Sequence, residues 1–119
     1  MNNRSLLKSA LVAVALSVSL ISCAKEEVIP VSQLPVEIKT YISTHFPSNT
    51  IVQVVKDLDG LTKTYDVMLS DQISLEFNRK NQIIDIDGKT ALPNSVIPEK
   101  IRQYVTANYP TNVITDWEL

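Results

Sequence analysis

Residues 34–51 read LPVEIKTYISTHFPSNTI and residues 97–114 read IPEKIRQYVTANYPTNVI, which is an internal repeat at an offset of 63 positions. The prolines of the two copies coincide, Asn49 coincides with Asn112, and most other matches are conservative. Apolar residues recur at helical spacing in each copy. Proline suits the first turn of a helix, whereas Pro47 and Pro110 cannot continue one. The repeat therefore predicts two short helices that end before these two prolines.

Short alternating runs lie between the two predicted helices and after the second one. They predict strands over residues 51–57, 64–69, 73–78, 83–87 and 113–119. Within them, the inward side is predicted to carry Tyr65, Val67, Leu69, Ile84 and Ile86, and Trp117 is expected in the core. The chain is therefore predicted to form an α+β domain. Its antiparallel sheet of about four to five strands has two helices packed on one face, in the order α-β-β-β-β-α-β.

The first 22 residues have the features of a removable export signal. Arg4 and Lys8 precede an uncharged apolar run that is too short for a stable transmembrane helix. The run ends in Leu-Ile-Ser before Cys23, a pattern that resembles the bacterial lipobox. We therefore expect a lipoprotein signal peptide at 1–22, lipidation of Cys23 and export, with the protein anchored in the outer membrane and facing the periplasm or the cell surface.

The remaining residues are predicted to form a short tether and one domain. Residues 23–33 are expected to be the lipidated tether, and residues 34–119 the folded part. The domain would comprise one full repeat, 34–96, and a partial second repeat, 97–119. The part after residue 22 has 9 Lys+Arg against 13 Asp+Glu, a net charge near −4 that argues against nucleic-acid binding.

The repeat, the run Tyr65-x-Val67-x-Leu69 and the acidic strand that ends in Glu76-Phe77 together carry a family resemblance. They resemble the PepSY-like family of exported bacterial proteins, which are also described as β-lactamase-inhibitor-like. The resemblance covers residues 34–119 and implies the family's α+β fold. It leaves the function open, because a shared fold does not determine function.

Residues suited to catalysis are scarce in this chain. It contains no Gly-x-Ser-x-Gly or His-Glu-x-x-His motif, and Cys23 is assigned to the lipid anchor. The single histidine, His45, falls in the last turn of the first predicted helix, where histidine commonly interacts with the helix end. We therefore expect a protein that is not an enzyme.

The side of the sheet away from the helices is predicted to be acidic, with adaptable apolar residues. Its candidate partner-binding residues are Asp66, Met68, Glu76, Ile83 and Asp85. Such a face suits a basic patch on another envelope or secreted protein. The leading hypothesis is thus a non-catalytic protein-binding module, with inhibition of a hydrolase or peptidase as one form of it. A solvated antiparallel face has the same pattern, so that interpretation stays open.

Three alternatives follow from other features. The Asp-x-Asp-Gly segments place Asp57, Asp59, Asp85 and Asp87 where they could bind calcium in a cation-responsive sensor, although Asp-Gly is first of all a turn signal. Apart from this calcium alternative, no cofactor is expected. The partial second repeat would also fit a truncated remnant of a two-repeat protein. An incompletely protected sheet edge would favour a homodimer.

Overall fold

A computed structural model describes residues 25–119 of the chain. Two helices and six strands form the domain: β1 (Lys25–Ile29), α1 (Val36–His45), β2 (Ile51–Asp59), β3 (Thr62–Leu69), β4 (Ile73–Phe77), β5 (Ile83–Asp87), α2 (Glu99–Asn108) and β6 (Asp116–Glu118). The strands form one antiparallel sheet in chain order. The α+β class, the two helices and the antiparallel sheet are confirmed, but the sheet has six strands. Within residues 25–119, no helix is long and apolar enough to cross a membrane.

The internal repeat is visible in the backbone. Pro35 precedes α1 with φ −52° and ψ 143°, and Pro98 precedes α2 with φ −51° and ψ 137°. At the other end, Phe46 and Tyr109 leave the two helices with nearly equal dihedral angles. A three-residue 3₁₀ turn also lies before each helix, at Val31–Gln33 and Asn94–Val96. The 63-residue offset therefore repeats a whole local structure, from the 3₁₀ turn to the helix end.

One row of buried apolar side chains crosses all six strands. Each member is the direct cross-strand partner of the next, in the order Ile29, Val54, Val67, Leu75, Ile86 and Trp117. Helix α1 adds Ile38 and Ile42 to the same core. The predicted inward positions of Tyr65, Val67 and Leu69 and the core position of Trp117 are confirmed. Burial of this row on one face fixes the register, because a slip by one residue would expose it.

The segment predicted as a tether is partly a strand of the sheet. Residues 25–29 pair with β2, and Ile29 is buried opposite Val54. The other four residues of this strand are exposed at the sheet edge. For this reason the sequence KEEVI resembles that of a solvated linker. The predicted signal peptide, residues 1–22, and Cys23 lie outside the described residues.

A β-bulge in β5 reverses one predicted side-chain direction. Glu76 pairs with Asp85, but Phe77 pairs with Ile83, so Ile84 is an extra residue between the two pairs. Ile83 therefore shares the face of Phe77 and packs against the core. The prediction that Ile83 lies on the outward face is wrong.

The second helix is more exposed to solvent than the first. Helix α2 has no buried residue, although Ile101 packs against the core. Tyr104 is 61% exposed, whereas its counterpart Tyr41 in α1 packs against the core. The last strand is also shorter than predicted and spans only Asp116–Glu118. The second copy therefore repeats the helix of the first copy but not its burial.

Candidate functional site

Four carboxylates occupy consecutive cross-strand positions on the face of the sheet away from the helices. We call Asp66, Glu76, Asp85 and Glu118 the acidic row. They lie on β3, β4, β5 and β6, and each is the direct partner of the next. The row is parallel to the buried row and one residue away from it, so strand alternation directs its side chains to the opposite face.

The same line of residues continues onto the first two strands with apolar side chains. Val28 on β1 pairs with Val55 on β2, and Val55 pairs with Asp66. Val28 is 63% exposed. We call this whole side of the sheet the outer face. It is apolar at the β1–β2 end and acidic from β3 to β6.

Further carboxylates lie on the outer face beside the acidic row. Asp87 on β5 pairs with Asp116 on β6, and Glu26 on β1 pairs with Asp57 on β2. Like charges directly opposite each other on neighbouring strands are destabilising. The outer face therefore concentrates negative charge at the cost of some folding stability.

Burial and mutual repulsion raise the pKa of three members of the acidic row. Partial burial is the largest cause for Asp66, Glu76 and Asp85. Negative charge from neighbouring carboxylates adds to it: Asp57 has the largest effect on the pKa of Asp66, and Asp66 on that of Glu76. The pKa of Asp85 is raised mainly by Glu118 after burial. A positive charge placed here would relieve the mutual repulsion.

A shallow groove of about 280 Å³ lies on the outer face. Asp66, Glu76 and Asp85 line its acidic side, and Val55 and Met68 contribute apolar surface. The hydroxyl of Ser74 donates a hydrogen bond to Sδ of Met68 at 3.6 Å. The groove thus offers carboxylates and a polarisable apolar surface side by side.

Four of the five predicted partner-binding residues come together in this groove. Asp66, Met68, Glu76 and Asp85 line it, and Ile83 does not because of the bulge. Val28, Val55 and Glu118 belong to the same line but were not among the predicted residues. The alternation of two acidic residues with Trp117, which is buried, was the sequence signal that Glu118 points away from the core. Its position in the row depends on the pairing of β6 with β5.

The four aspartates of the calcium alternative lie in two separate places. Asp57 and Asp59 are on β2 at the β2–β3 turn, whereas Asp85 and Asp87 are on β5, with β3 and β4 between them. Among residues 25–119, no group of three or more His, Cys, Asp or Glu side chains is arranged to hold a metal ion.

The two glycines that follow these aspartates have different roles. Gly60 has φ 61°, as a tight hairpin turn requires. Gly88 instead allows a close approach, because a Cβ there would lie 3.0 Å from the carbonyl oxygen of Thr115. Its N–H donates a hydrogen bond to that oxygen. Turn geometry and packing thus account for both glycines.

His45 has a hydrogen-bond partner that its sequence context did not predict. Its Nδ1 is hydrogen-bonded to Oγ of Ser95, 2.9 Å away, and its ring lies 4.5 Å from the ring of Tyr41. Ser95 belongs to the 3₁₀ turn before α2. The contact joins the end of α1 to the 3₁₀ turn before α2, so this hydrogen bond of His45 goes to another segment and not to the end of its own helix.

Comparisons with known proteins identify a family. A family model described as "Putative beta-lactamase-inhibitor-like, PepSY-like" matches residues 19–85 and again residues 63–118. The two matches together span most of the chain. No curated protein matches it.

Three solved structures that are similar to this chain come from Bacteroides. A protein of Bacteroides vulgatus, described as a "putative periplasmic protein" of the DUF2874 family, is 34% identical with a TM-score of 0.75, over 80% of this chain and 76% of that one. A "putative calcium-regulated periplasmic protein" of Bacteroides thetaiotaomicron is 30% identical with a TM-score of 0.73, over 79% and 75% of the two chains. A second Bacteroides vulgatus protein, of unknown function, is 34% identical with a TM-score of 0.73, over 80% and 78%.

Proposed function

Because the chain belongs to the PepSY-like family, we propose that it is a non-catalytic binding module that docks another envelope or secreted protein on its outer face. The proposal rests chiefly on the acidic row, where four strands each contribute one carboxylate to a continuous line. Such a line is costly to fold, so a function that uses its charge explains why it is tolerated.

The cellular compartment given for the similar proteins supports export of this chain. Those from Bacteroides are described as "putative" periplasmic proteins, which supports the export of this chain. Lipidation of Cys23 and anchoring in the outer membrane are the finer part of the proposal. Their support is the Leu-Ile-Ser-Cys sequence that ends the apolar run.

The chemistry of the outer face defines the partner. Lysine or arginine side chains would lie against Glu76 and Asp85, whose pKa values are raised first by partial burial and then by the negative charge of neighbouring carboxylates. Apolar side chains of the same partner would contact Val28 and Met68, both of which are exposed. The partner therefore presents a segment that is basic on one side and apolar on the other. A basic hydrolase or peptidase that loses activity on binding would make this chain an inhibitor.

Charge reversal on the outer face tests the proposal. The wild-type protein, tagged and with Cys23 retained, is cross-linked in intact envelopes, and its partners are identified by mass spectrometry. A stoichiometric partner is expected for the wild type. It should be lost from the variant Asp66→Lys with Glu76→Lys.

The matched control reverses two exposed carboxylates elsewhere. Glu37 and Glu99 lie in the first turns of α1 and α2. The variant Glu37→Lys with Glu99→Lys has the same net charge as the outer-face variant and should keep the partner. Retention of the partner by the outer-face variant would show that another surface binds it. If a partner is captured, its activity with and without this protein tests inhibition.

A calcium-responsive role is the second candidate. It is favoured by the calcium-regulated description of the Bacteroides thetaiotaomicron structure, to which this chain is 30% identical. Because Asp57 and Asp59 are separated from Asp85 and Asp87 by two strands, calcium would need either two separate binding sites or further carboxylate ligands from the acidic row. Titration calorimetry with millimolar calcium tests this role, and an absence of any heat of binding would rule it out.

Self-association through a sheet edge is a further proposal about partners. Strands β1 and β6 form the two edges, and β6 has only three residues. Sedimentation velocity of the protein at increasing concentration would reveal a dimer. Reversible, cooperative urea unfolding would argue against the alternative that the chain is a poorly folded remnant.

A further inference from the structure

The turn between β2 and β3 lies at the end of the sheet where β1 begins. Lys25, the first residue of β1, pairs with Leu58 near the end of β2. One pair further along, Asp59 faces Thr62, and Gly60 and Leu61 close the turn. The hydroxyl of Thr62 donates a hydrogen bond to the carbonyl oxygen of Asp59 at 2.7 Å. The start of β1 and this hairpin tip are therefore neighbours.

The proposed lipid anchor cannot be far from the hairpin tip. Cys23 precedes Lys25 by two residues, so its Cα lies at most about 7 Å from that of Lys25. Because β1 runs away from the tip, the chain before Lys25 starts from the same end of the sheet. An anchor on Cys23 therefore holds this end close to the membrane, with no long linker between them.

The side chains of the hairpin tip suit a phospholipid surface. Leu61 is 94% exposed, more than any other large apolar side chain among residues 25–119. Turns usually carry small polar residues at such positions. Behind it, Lys25, Leu58 and Lys63 form one cross-strand row on the helix side of the sheet. Leu61 and the two lysines match the layers of an anionic membrane surface. Asp59 and the Glu26–Asp57 pair lie at the same end of the sheet but on its outer face, so the match is confined to the helix side.

We propose that, in the lipidated protein, the β2–β3 hairpin tip rests on the phospholipid surface, with Leu61 among the headgroups and Lys25 and Lys63 near the phosphates. This inference rests on the lipidation of Cys23 in the proposed function. It also orients the outer face. Val28, which continues the acidic row, lies three residues along β1 from Lys25, or about 10 Å. The acidic row thus lies about one Debye length from the anionic surface, with its groove open to a partner.

A fluorophore placed on the hairpin tip tests the inference. In lipidated protein the sulfur of Cys23 is a thioether, so the variant Leu61→Cys has one free thiol. An environment-sensitive dye is attached there, and the full lipidated protein is reconstituted in phosphatidylethanolamine–phosphatidylglycerol vesicles that contain a lipid-borne quencher. We expect a blue shift of the emission and several-fold stronger quenching than at a control position.

Val52→Cys is the matched control. Val52 is also on β2 and 65% exposed, but it lies about 25 Å from the hairpin tip along the strand. Both positions are exposed, so neither substitution disturbs the core. Equal quenching at the two positions would overturn the inference. The additional substitutions Lys25→Glu and Lys63→Glu should reduce the quenching at position 61 at least twofold, and no reduction would contradict the role of the lysines.

Intact-mass spectrometry separates the inference from the proposal on which it rests. A protein without added acyl chains would overturn both the lipoprotein assignment and the orientation. A lipidated protein that floats with the vesicles but shows no quenching at position 61 would overturn the orientation alone. Acylation together with strong quenching at position 61 supports both.

Discussion

Glu76 on β4 lies directly opposite Asp85 on β5, so two carboxylates share one cross-strand pair at the centre of the outer face. The pair is extended by Asp66 on one side and Glu118 on the other. Opposite charges would be expected in such pairs if stability alone determined the sequence. The arrangement therefore makes the folded state sensitive to pH, to salt and to substitution on this face.

The first prediction concerns the dependence of stability on pH. The pKa values of Asp66, Glu76 and Asp85 lie above the ordinary values of 3.8 for Asp and 4.5 for Glu. These groups bind protons more tightly in the folded state, so they raise the free energy of unfolding as the pH falls from 7 through their raised pKa values. The gain disappears as the pH rises again. Urea titrations at pH 7 and pH 5 should show higher stability at pH 5, and the opposite order would contradict the prediction.

The second prediction is that Glu76→Gln stabilises the protein. Removal of one charge from the row relieves repulsion from both cross-strand neighbours, so the free energy of unfolding at pH 7 should rise by about 0.2–1 kcal/mol. The gain should shrink in high salt because screening already weakens the repulsion. Glu27→Gln is the control, since Glu27 lies opposite Lys56, and it should leave stability unchanged or slightly lower. Equal effects of the two substitutions in urea titrations would refute the charge argument.

The third prediction concerns the turn between β3 and β4. Asp71 and Gln72 both have positive φ, 63° and 60°. Glycine adopts this conformation without the steric cost that glutamine has, so Gln72→Gly should raise the free energy of unfolding by about 0.5–1 kcal/mol. Asp71→Gly is the control and should gain less, because Asp71 accepts a hydrogen bond from the amide of Asn49 at 3.2 Å. Urea titrations of the two variants give the comparison.

The fourth prediction is that Tyr41→Phe does not destabilise the protein. Burial raises the pKa of Tyr41 to about 12, and its hydroxyl has no hydrogen-bond partner within the part of the chain that the structure describes. The ring keeps its edge-to-face contact with Phe77 at 5.5 Å. Stability should therefore stay equal or rise by up to about 1 kcal/mol. Tyr104→Phe, at an exposed position, should have no effect, and a loss at position 41 in thermal melts would reveal a partner for the hydroxyl.

The fifth prediction tests the buried row at its end. Trp117 is the last member of that row although it lies on an edge strand, so Trp117→Ala should lower the free energy of unfolding by about 3–5 kcal/mol. Leu119→Ala, two residues later at an exposed position, should change it by less than about 0.5 kcal/mol. Circular dichroism is the measurement, because the substitution removes the only tryptophan fluorescence. A small loss at position 117 would show that β6 contributes little to the fold.

The sequence alone determined the two helices and the identity of most core residues. Pro35 and Pro98 start the helices, and the chain turns at Phe46 and Tyr109, because these preferences act within a few residues of each other. The inward residues of β3 could also be predicted from the local sequence, since successive residues of a strand point to opposite faces. The repeat made these local signals stronger by presenting the helix twice.

Only the tertiary structure decided which distant segments meet. The pairing of Ile29 with Val54 brings the supposed tether into the sheet, although nothing in the exposed residues of β1 indicates a partner. The bulge at Ile84 turns Ile83 toward the core, against which it packs, because one extra residue reverses the alternation. Residues 66, 76, 85 and 118 form one row only through the register of four strands. Register is set by burial of the opposite face over the whole sheet, and that is a property of the packed chain rather than of any one segment.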